Sequence, residues 1–304
     1  MSILNVNKIN PVGGGSTITI AGIASVTSSV TAPSFVGAVT GNVTGNVTGN
    51  VTGNVTGNIN NSSNLLLQTG GNERLRIDSS GRFLLGTTTE GATGADELTI
   101  ATTGSTGLTI RSGTSNDGNI FFSDATSGTG EYAGYVQYEH ANDALRFGTA
   151  SAERLRISSE GYVTKPANPV FHAFGGPNIV NANNDIVFGQ ERFDVGGGYN
   201  TSTGEYTAPV TGYYHLYAQV YRQDVENDTH WGFYLDNGSG YQQISEARLQ
   251  TNYGGDSGRG YCTLQSSIYW YMSAGHKIKC RVGSSSGNVH CNNTLSYFCG
   301  NLVG

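Results

Sequence analysis

Between Gly37 and Asn60 the chain reads GAVT GNVT GNVT GNVT GNVT GNIN, six units of four residues. Collagen needs a triplet repeat and hexapeptide β-helices need a unit of six, so both are excluded. So many glycines and β-branched residues also disfavour a helix. A period of four is a multiple of the strand period, and it sets Gly and Val on one face and Asn and Thr on the other. One such strand has too little apolar surface to fold. Three wound about an axis could bury Val39, Val43, Val47, Val51, Val55 and Ile59 together and pair their exposed edges. A flexible Gly-rich linker is the competing reading of the same residues. The sequons from Asn42 to Thr56 follow from the repeat itself.

The flanking composition is polarised. Lys8 is the only charged residue before Glu73. Of the 30 aromatic residues, only Phe35 and Phe83 precede residue 120, whereas residues 166–304 hold 21. The start of the chain therefore cannot build an ordinary core alone, and the end can. Charged residues make up 12% of the chain, about half the usual ~25%. A net charge of −6 argues against a nucleic-acid partner, and no apolar run is long enough for a membrane helix, so no membrane insertion is expected. No signal-peptide pattern is present, and assembly in a cytoplasm is the expectation.

A second repeat has longer range. Glu73–Gly81 (ERLRIDSSG) recurs as Glu153–Gly161 (ERLRISSEG). Leu and Ile two apart share one face and the two arginines share the other, followed by a turn and a further strand: a hairpin unit. The arginines read as a solvated strand face, with a phosphate or glycan clamp as the sharper alternative. Between the copies, Leu98–Ile100, Gly107–Arg111, Gly118–Phe122, Gly134–Tyr138 and Ala144–Gly148 alternate as short strands of a small β knob.

The GNVT run, ERLRIDSSGRFLLGTTTEG and the segment from Gly107 to Thr149 together resemble tail-fibre proteins of marine bacteriophages, cyanophages especially, over roughly residues 30–165. The resemblance implies a homotrimeric virion appendage. Many such fibres end in a self-cleaving chaperone domain, for which this chain leaves no room.

After the stiff join Lys165–Pro169 come eight aromatic-rich strands: Val170–Phe174, Asp185–Phe188, Gly212–Tyr221, Trp231–Asp236, Tyr241–Ala247, Tyr261–Tyr271, Lys277–Val282 and Leu295–Val303. They suit a two-sheet jelly roll. Phe193–His215 (FDVGGGYNTSTGEYTAPVTGYYH), Ala274–Ile278 and Phe298–Leu302 are similar to the C1q-like family. Tyr199, Gly204, Tyr206, Pro209, Gly212, Tyr214, Phe298, Gly300 and Leu302 occupy its pattern. His276 departs from it, standing where the family has an acidic residue. The resemblance implies a jelly roll that forms compact homotrimers.

No residue pattern carries catalysis. Cys262, Cys280, Cys291 and Cys299 lack CxxC spacing and read as thiols, with Cys280 in the core; a disulfide formed later stays open. His140, His172, His215, His230, His276 and His290 form no metal motif. The C1q-like resemblance implies that Ca²⁺ could bind near Asp185, Asp236 or Asp256, without assigning ligands; no other cofactor is expected. The loops around Arg222–His230, Gly238–Tyr241 and Asn252–Asp256 combine aromatic and hydrogen-bonding groups, which makes Arg222, His230, Trp231, Tyr241, Tyr253 and Asp256 the candidate receptor-binding residues.

The expected molecule is all-β and not an enzyme: an elongated homotrimeric fibre with a virion-attachment segment (1–36), a GNVT shaft (37–60), hairpin and knob modules (61–165) and a C1q-like jelly-roll head (166–304). Its expected location is the virion. A tail or baseplate protein would hold the N-terminus, and the head would adhere to a host-surface glycan or protein. A capsid-surface decoration without a dedicated receptor and a secreted bacterial adhesin are the alternatives.

Overall fold

The computed structural model describes residues 63–176, 179–223, 229–249, 261–284, 289 and 294–304. The expected attachment segment and shaft, including Val39, Val43, Val47, Val51, Val55 and Ile59, lie outside the described residues. The chain divides into two compact units, 1–102 and 103–304, and the division falls inside the 61–165 segment. Among the described residues there are strands and one 3-10 turn but no α-helix, so the all-β expectation holds.

The first unit contains β1 (Leu65–Thr69), β2 (Asn72–Ile77), β3 (Phe83–Leu85) and β4 (Leu98–Ile100), one sheet in that order. β4 runs parallel to β3 and the other pairs are antiparallel. Leu65, Leu67, Leu75, Ile77, Phe83, Leu85, Leu98 and Ile100 are mutual cross-strand partners, so they share one face. The described residues of the unit offer no second layer to that face: Leu67, Phe83, Leu85 and Leu98 remain 43–60% exposed.

The second unit begins with β5 (Gly118–Phe122), β6 (Gly134–Glu139), β7 (Ala144–Thr149), β8 (Ala152–Ile157) and β9 (Val163–Thr164), an antiparallel meander. One face carries Ile120, Val136, Tyr138, Leu145, Phe147, Leu155, Ile157 and Val163. The other carries Asn119, Phe121, Tyr135, Gln137, Arg146 and Arg156. Gly107–Arg111, expected as a strand, is not one: its alternation is intact but no strand edge of the chain pairs with it, and Leu108 is exposed.

The long-range repeat is structural. β1–β3 and β7–β9 share a bulge, between Leu67 and Gln68 in one copy and Phe147 and Gly148 in the other. Arg74 Nε donates to Thr69 Oγ1 as Arg154 Nε does to Thr149 Oγ1. Gly81 and Gly161 take φ of 86° and 84° in the same closing turn. The copies differ at the hairpin tip. Gly70–Gly71 turn with φ of 58° and 76°, whereas Ala150–Ser151 adopt 51° and 60°. Left-handed backbone costs a residue with a Cβ roughly 1–2 kcal/mol, so the second tip is strained where the first is not.

The C-terminal part is a sandwich of β10 (Val170–Phe174), β11 (Asp185–Ile186), β12 (Gln190–Val195), β13 (Tyr199–Asn200), β14 (Glu205–Thr207), β15 (Gly212–Gln223), β16 (Thr229–Asp236), β17 (Tyr241–Gln243), β18 (Ala247–Leu249), β19 (Tyr261–Met272), β20 (Lys277–Val282) and β21 (Tyr297–Leu302). One sheet is ordered β12-β10-β21-β15-β19. The other is β13-β14-β20-β16-β17, with β11 beside β20 and β18 beside β16. The runs β14-β15-β16 and β19-β20-β21 pass from sheet to sheet at every step, the winding of a jelly roll. All eight expected strand regions contain strands. The additional ones are mostly two- or three-residue pieces, too short to show alternation; the longer β12 hides its pattern under exposed polar residues.

The core between the sheets is aromatic. Phe171 stacks on Tyr206 at 4.2 Å and meets Phe298 edge-on at 4.8 Å. Buried hydroxyls find carbonyls: Tyr199 donates to Phe188 O at 3.1 Å and Tyr214 to Val210 O at 2.8 Å. Gly300 lies beneath this cluster. A Cβ there would come within 2.7 Å of Leu216, 2.9 Å of the Phe171 ring and 3.0 Å of His215 O. Gly300→Ala should therefore destabilise the fold by roughly 1–3 kcal/mol, the usual range for overpacking. Urea denaturation monitored by tryptophan fluorescence checks this, and an unchanged midpoint would refute the packing argument.

Candidate functional site

The outward face of the β12-β10-β21-β15-β19 sheet is built by simple alternation. Along β15, Tyr214, Leu216, Ala218 and Val220 point into the core, leaving Tyr213, His215, Tyr217 and Gln219 outside. Their partners on β19 are Tyr271, Tyr269, Ser267 and Gln265, and on β21 the last three face Asn301, Cys299 and Tyr297. The result is a band of rings across the sheet. Tyr213 meets Tyr271 at 5.3 Å, His215 stacks on Tyr269 at 4.6 Å, Tyr217 on Tyr297 at 5.6 Å, and Tyr297 on His172 at 5.2 Å. Arg192 closes the band over Phe174.

The polar atoms of this face are mostly tied to one another. Tyr217 Oη donates to Gln265 Oε1 at 2.7 Å, and His215 Nε2 lies 2.9 Å from Ser267 Oγ. Burial, then the neighbouring Tyr297, pushes the Tyr217 hydroxyl up to about 12. Burial, then the charge of Arg192, holds His172 below the ordinary imidazole value, and its Nδ1 is buried without a partner. Tyr213, Tyr269 and Tyr271 are 50–67% exposed. A predominantly aromatic surface with one cation, Arg192, at its edge is suited to being covered by another surface.

The opposite face of the sandwich is different in kind. Lys277, Lys279 and Arg281 alternate along β20 with the buried Ile278, Cys280 and Val282. Lys279 Nζ is 2.8 Å from Asp185 Oδ2 and 3.6 Å above the Tyr241 ring; Arg281 Nε is 2.6 Å from Asp185 Oδ1. Tyr241 Oη donates to Glu205. Burial raises Asp185, but its bonds to Arg281 and Lys279 outweigh that and leave it below the ordinary carboxylate value. Burial likewise raises Glu205, but the Tyr241 bond, with Lys277, Thr203 and Lys279, outweighs it and leaves Glu205 below the ordinary carboxylate value.

Of the six expected receptor-binding residues, the side chains of His230, Trp231 and Tyr241 are described, and they do not form one exposed site. Tyr241 belongs to the ionic cluster. His230 and Trp231 require correction: both lie in β16 with core positions, Trp231 wholly buried against Phe233 at 5.5 Å and His230 packed on Gly283. The run Thr229–Phe233 is buried at every position, so no alternation carried them outward. Arg222 lies near the end of β15 with its side chain outside the described residues, as are Tyr253 and Asp256 altogether. The aromatic band was legible in the alternation of Tyr213, His215 and Tyr217, but attention to loops passed over it.

The paired arginines of the repeat are not an open clamp. Arg76 pairs with Glu73 at 2.7 Å, and Arg146 and Arg156 form a closed ring with Glu139 and Glu153 at 2.8–3.2 Å. Calcium finds no fit at the expected acids that are described: Asp185 is neutralised by Lys279 and Arg281, and Asp236 Oδ1 accepts from Gly238 and Gly240 within its own turn. No group of three His, Cys, Asp or Glu able to hold a metal occurs among the described residues. Cys280 and Cys299 are both thiols, and burial raises the latter. His276 takes a structural part, its Nδ1 accepting from Ser273 N at 3.3 Å to close the β19–β20 turn.

No family model and no curated protein matches the chain. Among solved structures it is similar to the Eiger TNF of S. frugiperda (16% identity, TM-score 0.40, 45% of this chain and 94% of that one). It is also similar to murine APRIL at pH 5.0 (16%, 0.38, 45% and 99%) and to the globular domain of the zebrafish complement 1qA protein (14%, 0.35, 45% and 98%).

The ionic cluster sets an acid limit. Because Asp185 and Glu205 titrate lower in the folded chain, their stabilisation is fully present above the ordinary carboxylate range and is lost as pH falls through the lowered values, below about pH 4. Lys279→Met removes the central cation. The melting temperature of the variant should converge on that of the wild type as pH is taken from 7 towards 3; a constant difference across that range would show that the cluster is not the source.

Proposed function

We propose that this protein is a non-catalytic, homotrimeric virion fibre that adheres to a host cell surface through its C-terminal jelly roll. The observation that carries the reading is repeated three times in the chain: each of three sheets leaves an apolar or aromatic face uncovered. Eight apolar residues share one face of β1–β4, another eight share one face of β5–β9, and the aromatic band occupies the head. Single-layer sheets of this size are marginal unless a second layer covers the apolar side. Identical chains supply that layer at every module simultaneously, and closed symmetry limits the assembly. Three is the number that the period-four run also favours, since three such strands bury their valines about one axis. The resemblance of residues 30–165 to phage tail fibres supports the virion setting, and trivalent display would turn a weak contact with a host glycan or protein into firm attachment.

Sedimentation equilibrium of the full chain should return three times the chain mass. Leu67→Glu with Leu85→Glu alters two side chains already about half exposed in the single chain, so folding of a monomer would change by no more than about 0.5 kcal/mol per site. The double variant should nevertheless lose trimer mass by at least tenfold in association constant. A monomeric wild type, or a variant that assembles as well as the wild type, would overturn the reading.

A further inference from the structure

The polar face of β5–β9 holds a cavity of about 270 Å³ lined by Phe121, Tyr132, Tyr135, Gln137, Arg146 and Ser151. We propose that it is a binding site for one uncharged hexopyranose residue of a larger glycan. The proposal relies on the adhesive reading for its purpose, but it places a sugar contact in the knob, away from the head.

The first observation is the placement of the rings. Phe121 and Tyr132 stand 49% and 38% exposed on the face opposite the apolar one, where covering by another copy gives them no role. Their centroids are 6.1 Å apart and their planes inclined at 47°, an open V. The apolar C–H face of a pyranose stacks on such a ring, while its edges need hydrogen-bond partners.

The second is the polar lining. Gln137 Nε2 donates to Asn119 Oδ1 at 2.7 Å, which fixes the amide. Its Oε1 is then left as a buried acceptor without a partner, a rare condition that a ligand hydroxyl would relieve. The charges decide the ligand class. Arg146 is held at 3.2 Å by both Glu139 and Glu153, and Arg156 bridges the same two carboxylates. Two cations and two anions cancel, so the site has no surplus charge with which to hold a uronate, a sialate or a phosphate.

The third is that this copy of the repeat has been altered around the cavity. Ser151, in the strained hairpin tip, donates from its hydroxyl to Thr129 O at 2.7 Å and from its N–H to Ala133 O at 3.0 Å. Those two bonds clamp the 3-10 turn Gly128–Tyr132 that carries Tyr132. The first copy has Gly70–Gly71 at the tip. Gly148, where the first copy has Gln68, lets the Tyr135 ring lie on the backbone: a Cβ there would be 2.0 Å from the ring. Strain retained beside a cavity, and absent from the equivalent turn elsewhere in the chain, marks a site under functional constraint.

The test is saturation-transfer NMR on the full chain with the methyl glycosides of glucose, galactose and mannose, and methyl glucuronide as the charged comparator. At least one neutral glycoside should receive saturation on its ring C–H protons. The signal should fall at least fivefold in Tyr132→Ala, in Gln137→Leu and in Ser151→Gly, which relaxes the tip but unclamps the turn. It should be unchanged in Tyr162→Ala, an exposed aromatic elsewhere in the module, and all variants should sediment as the wild type. Absence of transfer to every neutral glycoside, transfer to the glucuronide alone, or equal transfer in Tyr132→Ala would overturn the proposal. Adhesion to host cells, measured in parallel, separates the two readings: adhesion without neutral-glycoside transfer would sink the knob site and leave the head as the adhesive part.

Discussion

The need of an apolar sheet face for a second layer governs this molecule. In the C-terminal sandwich the chain supplies both layers, and Phe171, Tyr206, Trp231 and Phe298 are wholly buried between them. In the two hairpin modules it supplies one layer only. Their strands are three to six residues long, apart from the two-residue β9, and they present apolar side chains to faces on which Leu67, Phe83, Leu85, Leu98, Ile120, Phe147 and Val163 stay exposed. No rearrangement of side chains can mend this, because a strand turned over would expose the same number of arginines and glutamates to the apolar side. In the proposed assembly other chains meet this deficit, and the same deficit at successive modules favours one symmetric assembly over separate contacts.

The repeated hairpin unit shows how little sequence is needed to hold a module and how much is left to vary. The bulge, the Arg–Thr bond and the glycine of the closing turn are common to both copies and concern the backbone path. Two differences meet at one corner: Ala150–Ser151 for Gly70–Gly71 and Gly148 for Gln68. Glycine at both tip positions would relieve the left-handed strain that Ala150 and Ser151 carry.

Much of the fold was legible in the sequence because it rests on alternation. The strands of the sandwich, the hairpin repeat, Cys280 in the core and Gly300 beneath an aromatic cluster all follow from side chains two apart sharing a face. Legibility failed where alternation is insufficient. Gly107–Arg111 alternates but pairs with no strand among the described residues, and pairing is a property of the whole sheet. Thr229–Phe233 is buried at every position and does not alternate, so neither the expected strand from Trp231 nor the expected loop ending at His230 revealed that both side chains are buried. The mutual neutralisation of Arg146, Arg156, Glu139 and Glu153 depends on strands β6, β7 and β8 lying side by side, and single-strand patterns cannot reveal it.

The two outer faces of the sandwich also decide between themselves which one another chain can cover. Around β20, any covering surface would strip water from Lys277, Lys279, Arg281, Asp185 and Glu205. Their mutual bonds satisfy them in a half-wet environment, and full desolvation of such ions costs several kcal/mol each unless new partners are supplied. Around β15 and β19 the band is formed by Tyr213, His215, Tyr217, Tyr269 and Tyr271, and its cation Arg192 stands at the edge over Phe174. Tyr217 and His215 have their hydrogen bonds within the face, and covering it removes water mainly from ring carbon. Burial there is favourable in proportion to area, with a single edge ion to compensate. The same aromatic residues that make the face costly to leave open thus make it inexpensive to close, and in the proposed assembly the ionic face is the one left to water.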